Sequence, residues 1–101
     1  MLTETQRATL AAFADVIIPP DDTPGGADAG AVAFVENLLT RELAPRAAEY
    51  AAFLDTLATT GMDFSLEQQA TSIFKLAAET IHEAYWTSDI GQRAVGFIAA
   101  P

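Results

Sequence analysis

The residues best spaced for chemistry in this 101-residue chain are Glu79 and His82, a Glu-x-x-His pair. On a helix, i, i+3 spacing brings the carboxylate and imidazole to one side, and in di-iron bundles such a pair is half of a metal site. The other half needs a second Glu-x-x-His and two further glutamates. His82 is the single histidine, so only a symmetric dimer could complete the set. Within one chain, Glu79, His82 and Glu83 read as a polar helix face with local electrostatic support between neighbours. The Gly25-Gly26-Ala27-Asp28-Ala29-Gly30 run fails the nucleotide fingerprints: it follows a proline loop rather than a strand and carries no lysine. Asp21, Asp22 and Asp28 lack the alternating oxygen ligands and closing glutamate of a calcium loop. They suit turns or the next helix's N-terminus. Hydroxyls are present, but there is no Gly-x-Ser-x-Gly elbow. The expectation is therefore a non-enzyme with no catalytic, cofactor-binding or metal-binding residues of its own.

The elements that would position these residues are helical. Thr3 and Gln6 form a capping-box signal, after which Leu10, Phe13, Ala14 and Ile17 recur at i, i+3, i+4 and i+7 on one stripe. Three prolines (Pro19, Pro20, Pro24) and two glycines (Gly25, Gly26) within eight residues then break the helix. Proline fixes φ and removes a donor while glycine admits unusual backbone angles, so an ordered loop of definite shape is expected. Val32, Val35, Leu38, Leu39 and Phe34 mark a second helix, ending near Glu42. Pro45 suits the first turn of a third, whose buried face is Tyr50, Phe53, Leu54, Leu57 and Ala58 and whose stop is Gly61. Ser65 and Gln68 open the longest helix, over residues 66–86, with the stripe Leu66, Ala70, Ile73, Phe74, Ala77, Ile81, Ala84 and Tyr85. Gly91 and Gly96 make the remainder an irregular tail. The predicted fold is all-α: one domain over residues 1–101, a small bundle of four helices with a Pro/Gly-rich loop after the first and an irregular C-terminal tail.

Composition narrows the function classes. Five Lys+Arg against fourteen Asp+Glu give a net charge of −9, which disfavours nucleic acid and anionic membrane surfaces. The chain has no cysteine, which excludes disulfides, thiolate nucleophiles, iron–sulfur ligation and c-type haem attachment. No segment reaches the roughly 18 uninterrupted apolar residues of a membrane span, so direct membrane insertion is not expected. Residues 1–7 show neither a basic n-region nor a twin arginine. The expected location is cytoplasmic, with a periplasmic or exported complex as the alternative where a leader has been removed.

Apolar side chains remain once the core stripes are filled. Trp86 adjoins Tyr85, and only one of the two can face the core. Ile90, Val95, Phe97 and Ile98 follow on a glycine-broken segment. They fold back over the bundle or meet another protein, and aromatic anchors are favoured interface hot spots. The candidate partner interface is accordingly Pro19, Pro20, Pro24, Gly25, Tyr85, Trp86, Ile90, Phe97 and Ile98.

The order of features along the chain resembles the gluconate 2-dehydrogenase subunit 3 family. Those features are the hydrophobic helix into Ile17-Ile18-Pro19, acidic residues, Pro24-Gly25 and Gly30-Ala31-Val32-Ala33-Phe34-Val35; then Phe53-Leu54-Asp55, Gly61-Met62-Asp63-Phe64-Ser65, Tyr85-Trp86-Thr87-Ser88 and Gly96-Phe97. The resemblance implies a small helical, non-catalytic subunit held on a catalytic flavoprotein of the glucose–methanol–choline type, which contains FAD and oxidises a sugar or sugar acid. It implies a chaperone-like role in that partner's folding or maturation, within a hetero-oligomer. The family supplies no catalytic residues to carry over. The alternatives are a free-standing helical ligand-binding protein and a metal-binding dimeric enzyme using Glu79 and His82.

Overall fold

The computed structural model describes residues 2–20, 25–27 and 30–88, and all regular structure among them is helical. The order is α1 (Glu4–Ile17), α2 (Ala31–Leu39), a 3-10 turn (Ala44–Arg46), α3 (Ala47–Thr60), α4 (Leu66–Gln69) and α5 (Ser72–Thr87). α1 packs chiefly on α3, and α2 on α5, with α1–α5 and α3–α5 contacts closing the bundle. Four long helices and no strand among the described residues agree with the all-α expectation.

Local chemistry sets the helix ends. At α1, the Gln6 N–H donates to Thr3 Oγ1 (3.1 Å) and the Thr3 N–H donates to Gln6 Oε1 (2.9 Å), completing the capping box. Ser65 and Gln68 repeat it at α4, at 3.1 and 2.8 Å. α3 stops at Gly61, whose φ of +84° and ψ of −172° fall in a region open to glycine alone. Pro45 lies in the 3-10 turn that runs directly into α3.

Three sequence expectations are corrected. The helix expected over residues 66–86 is two helices: Thr71 adopts an extended conformation and its Oγ1 accepts from the Phe74 N–H at 3.3 Å, starting α5 afresh. Leu66 and Ala70, expected in the buried stripe, are consequently exposed, Leu66 by 85%. The second helix ends at Leu39 rather than near Glu42, because Thr40 donates its hydroxyl to the Asn37 carbonyl (2.8 Å) and the backbone tightens into turns. Ala58, roughly 80° around the helix from Tyr50 at about 100° per residue, lies beyond the buried face and is exposed.

The core is formed by Leu10, Phe13 and Ala14 of α1, Val35 and Leu39 of α2, Tyr50, Leu54 and Leu57 of α3, and Phe74, Ala77, Ile81 and Ala84 of α5. Phe13 is its aromatic hub, edge-on to Phe53, Phe64 and Phe74 at centroid distances of 5.5, 5.8 and 5.7 Å. Such pairs each contribute about 0.5–1.5 kcal/mol beyond area burial. Among the described residues, no helix is long and apolar enough to cross a membrane.

Candidate partner interface

The loop after α1 is built on the helix it leaves. The Ile18 N–H caps the end of α1 on the Ala14 carbonyl at 2.9 Å, and the exposed Pro19 and Pro20 lead the chain away. The chain then returns: the Gly26 N–H donates to the Ile18 carbonyl (2.9 Å) and the Ala27 N–H to Asp15 Oδ1 (3.1 Å). Gly25 and Gly26 are buried. A Cβ on Gly26 would stand 2.6 Å from the Ala14 carbonyl oxygen, and one on Gly25 would stand 2.6 Å from Asp15 Oδ1 and 2.8 Å from the Ile18 oxygen. Neither glycine has a positive φ. Sequence reasoning ascribed them conformational freedom, whereas what they supply is space for close backbone approach. Freedom is needed at Gly30, where φ is +86° just before α2. Of the expected interface residues in this loop, Pro19 and Pro20 face solvent, Gly25 lies beneath them against α1, and Pro24 falls outside the described residues, as do Asp21, Asp22 and Asp28.

At the other end of the bundle, α5 closes with two aromatics at consecutive positions. Tyr85 is 5% exposed and Trp86 46% exposed, their rings edge-to-face at 5.7 Å and 84°. The roughly 100° between successive helical positions places one in the core and the other at the surface. Ser88 ends the helix by donating its hydroxyl to the Tyr85 carbonyl at 2.7 Å. Ile90, Phe97 and Ile98 fall outside the described residues.

A third surface was missed in the sequence. Phe53 of α3, Phe64 of the α3–α4 connection, and Ile73 and Phe74 of α5 line an open apolar notch of about 330 Å³, with Glu49 and Gln68 at its edge. Phe64 packs 4.9 Å from Phe74. An aromatic between a glycine stop and a serine cap was the available signal, since a large apolar residue in a short connection is best placed against the core.

Among the described residues, every buried side-chain nitrogen or oxygen has a hydrogen-bond partner. Thr80, 3% exposed, donates its hydroxyl proton to the Ala77 carbonyl (2.6 Å), so the Tyr50 hydroxyl, 2.7 Å away, is the donor to Thr80 Oγ1. Burial pushes the Tyr50 hydroxyl up from 10.0 to about 12, the bond to Thr80 opposing part of the rise. Tyr50 therefore holds its proton across the physiological range. Glu79, His82 and Glu83 are exposed on α5, and no three His, Asp or Glu side chains among the described residues converge on a common point.

The family model described as gluconate 2-dehydrogenase subunit 3 matches residues 4–65, more than half of the chain. The chain belongs to that family. The matched span runs from the start of α1 through the Pro/Gly loop, α2 and α3 to the Ser65 cap. Pro19, Pro20 and Gly25 thus lie within the family's shared region, and Tyr85 and Trp86 lie beyond it. The family is that of a subunit of a multi-subunit dehydrogenase. No curated protein and no solved structure is significantly similar to this chain.

Proposed function

We propose that this chain is a non-catalytic small subunit that binds and stabilises an FAD-dependent sugar or sugar-acid oxidoreductase of the glucose–methanol–choline type. Family membership over residues 4–65 carries the reading. The surface supports it: two exposed prolines on a loop pinned to α1, a half-exposed tryptophan braced by a buried tyrosine, and an open aromatic notch. Hydrogen bonds and ring contacts tie these apolar features to the bundle, and pre-positioning lowers the ordering cost of association. A standard interface buries roughly 800 Å² per partner, an area that patches of this kind can contribute to jointly.

FAD belongs to the partner in this reading. The glycines most reminiscent of a phosphate cradle, Gly25 and Gly26, are buried against α1, and the Gly26 N–H is already spent on the Ile18 carbonyl. The subunit acts thermodynamically: a protein that binds only the folded flavoprotein raises its folded population. The test is co-expression with the glucose–methanol–choline-type flavoprotein of the same genome, followed by tagged purification through this chain. A co-purifying, flavin-loaded partner supports the reading, and two proteins that purify apart refute it.

A further inference from the structure

We propose that the groove between α2 and α5 seats a basic, amphipathic helix of the partner subunit, with an apolar side facing the groove floor and lysine or arginine at its edge. This rests on the partner-binding reading above and names the chemistry of the surface it uses. Two stripes face each other there, each at i, i+3, i+4 and i+7: Phe34, Asn37, Leu38 and Arg41 from α2 and its following turn, and Leu76, Glu79, Thr80 and Glu83 from α5. They enclose about 550 Å³. Phe34, Leu38 and Leu76 are half-buried, contributing apolar surface to the floor, and Thr80 is fixed beneath by its bond to Tyr50.

The rim is acidic. Among the described residues that line it, Glu42, Glu79 and Glu83 stand against Arg41 alone, three carboxylates to one guanidinium. The ion pairs among the described residues, Arg7–Glu36 and Arg46–Glu49, involve none of them. An apolar floor within such a rim selects its occupant by charge. A wholly apolar segment would desolvate the carboxylates without compensation, and an anionic ligand would be repelled. A second copy of this chain, with fourteen acids to five Lys+Arg, is a poor source of cations. A helix with an apolar side and edge cations satisfies both parts, in the helix-in-groove mode of recognition. Glu79 and Glu83 are one turn apart, about 6 Å along the axis, a spacing that lysines or arginines at i and i+4 on the incoming helix would match.

The experiment uses the full chain and the co-expressed flavoprotein. Glu79→Lys with Glu83→Lys places like charges against the incoming cations. Both positions are exposed, so circular dichroism should show the fold retained. The expected result is affinity weakened at least about tenfold at low salt. The wild-type complex should weaken as salt rises from about 50 to about 300 mM, and the variant should lose most of that dependence. Carbodiimide footprinting supplies the second readout: Glu42, Glu79 and Glu83 should label in the isolated chain and be protected in the complex. Unchanged affinity of the double variant, or equal labelling free and bound, overturns the groove assignment while leaving the partner-binding reading intact. Labelling already blocked in the isolated chain at high dilution assigns the groove to the chain's own residues and also overturns it. Protection that grows with the concentration of the chain alone assigns it to a second copy, with the same consequence. A wild-type chain that forms no complex overturns both inferences together.

Discussion

Replacing Gly26 with alanine should destabilise this protein even though its φ is not positive. In an unstrained position the exchange stabilises by about 0.4–1 kcal/mol, because alanine loses less backbone entropy on folding. Here the added Cβ would lie 2.6 Å from the Ala14 carbonyl oxygen and 3.0 Å from its carbon, both main-chain atoms inside α1. The loop can respond in two ways. If it stays seated, overpacking costs about 1–3 kcal/mol. If it lifts, the Gly26 N–H to Ile18 bond and the Ala27 N–H to Asp15 carboxylate bond are lost, at about 1 and about 1.5–3 kcal/mol respectively. At mid-range values, less the gain of about 0.7 kcal/mol, the seated route leaves a net loss of about 1.3 kcal/mol and the lifted route about 2.5 kcal/mol. For a domain of about 100 residues this corresponds to a Tm lowered by roughly 5–20 °C. Urea and thermal unfolding followed by far-ultraviolet circular dichroism measure it. A Gly26→Ala protein with unchanged or raised Tm would refute the seating of the loop on α1.

Thr71→Ala should cost about 1 kcal/mol in urea unfolding through loss of the α5 cap, and a cost below a few tenths would favour a continuous helix through residues 70–72. Tyr50 has a folded pKa of about 12 against 10.0 unfolded. Its contribution is therefore complete below pH 10 and lost as pH rises toward 12, about 2–3 kcal/mol in all. Tyr50→Phe should remove that component of alkaline destabilisation, and an identical pH profile for the variant would contradict the burial of the hydroxyl. Trp86→Ala should destabilise the isolated chain modestly, the edge-to-face contact with Tyr85 contributing about 0.5–1.5 kcal/mol beyond area burial. The same change should weaken the proposed complex by about 2 kcal/mol or more, and equal Kd values for wild type and variant would remove Trp86 from the interface.

Much of the bundle was legible because its signals are local. The capping boxes at Thr3–Gln6 and Ser65–Gln68, the Gly61 stop, and the α1 stripe all depend on residues within one or two turns. The break at Thr71 was not legible: Thr71 and Ser72 are compatible with a helix interior, and the decision falls to whether the chain turns so that Phe74, rather than Leu66, reaches the core. The loop was recognised from its prolines, but the work of Gly25 and Gly26 depends on how closely the returning chain approaches Ala14 and Asp15, a tertiary fact. The consecutive Tyr85 and Trp86 declared that one ring must face outward, and burial assigned that position to Trp86. The α2–α5 groove appears only when two stripes from separate helices are set side by side, and neither stripe alone distinguishes it from an ordinary polar face.

The stabilising role is tested by the thermal midpoint of the purified flavoprotein titrated with this subunit. Binding to the folded state alone stabilises by RT ln(1 + [L]/Kd), about 2.7 kcal/mol at a hundredfold excess over Kd. The midpoint should climb progressively with subunit concentration and the flavin should remain bound to higher temperature. A midpoint and flavin-release profile that stay the same at every subunit concentration would contradict a stabilising accessory role.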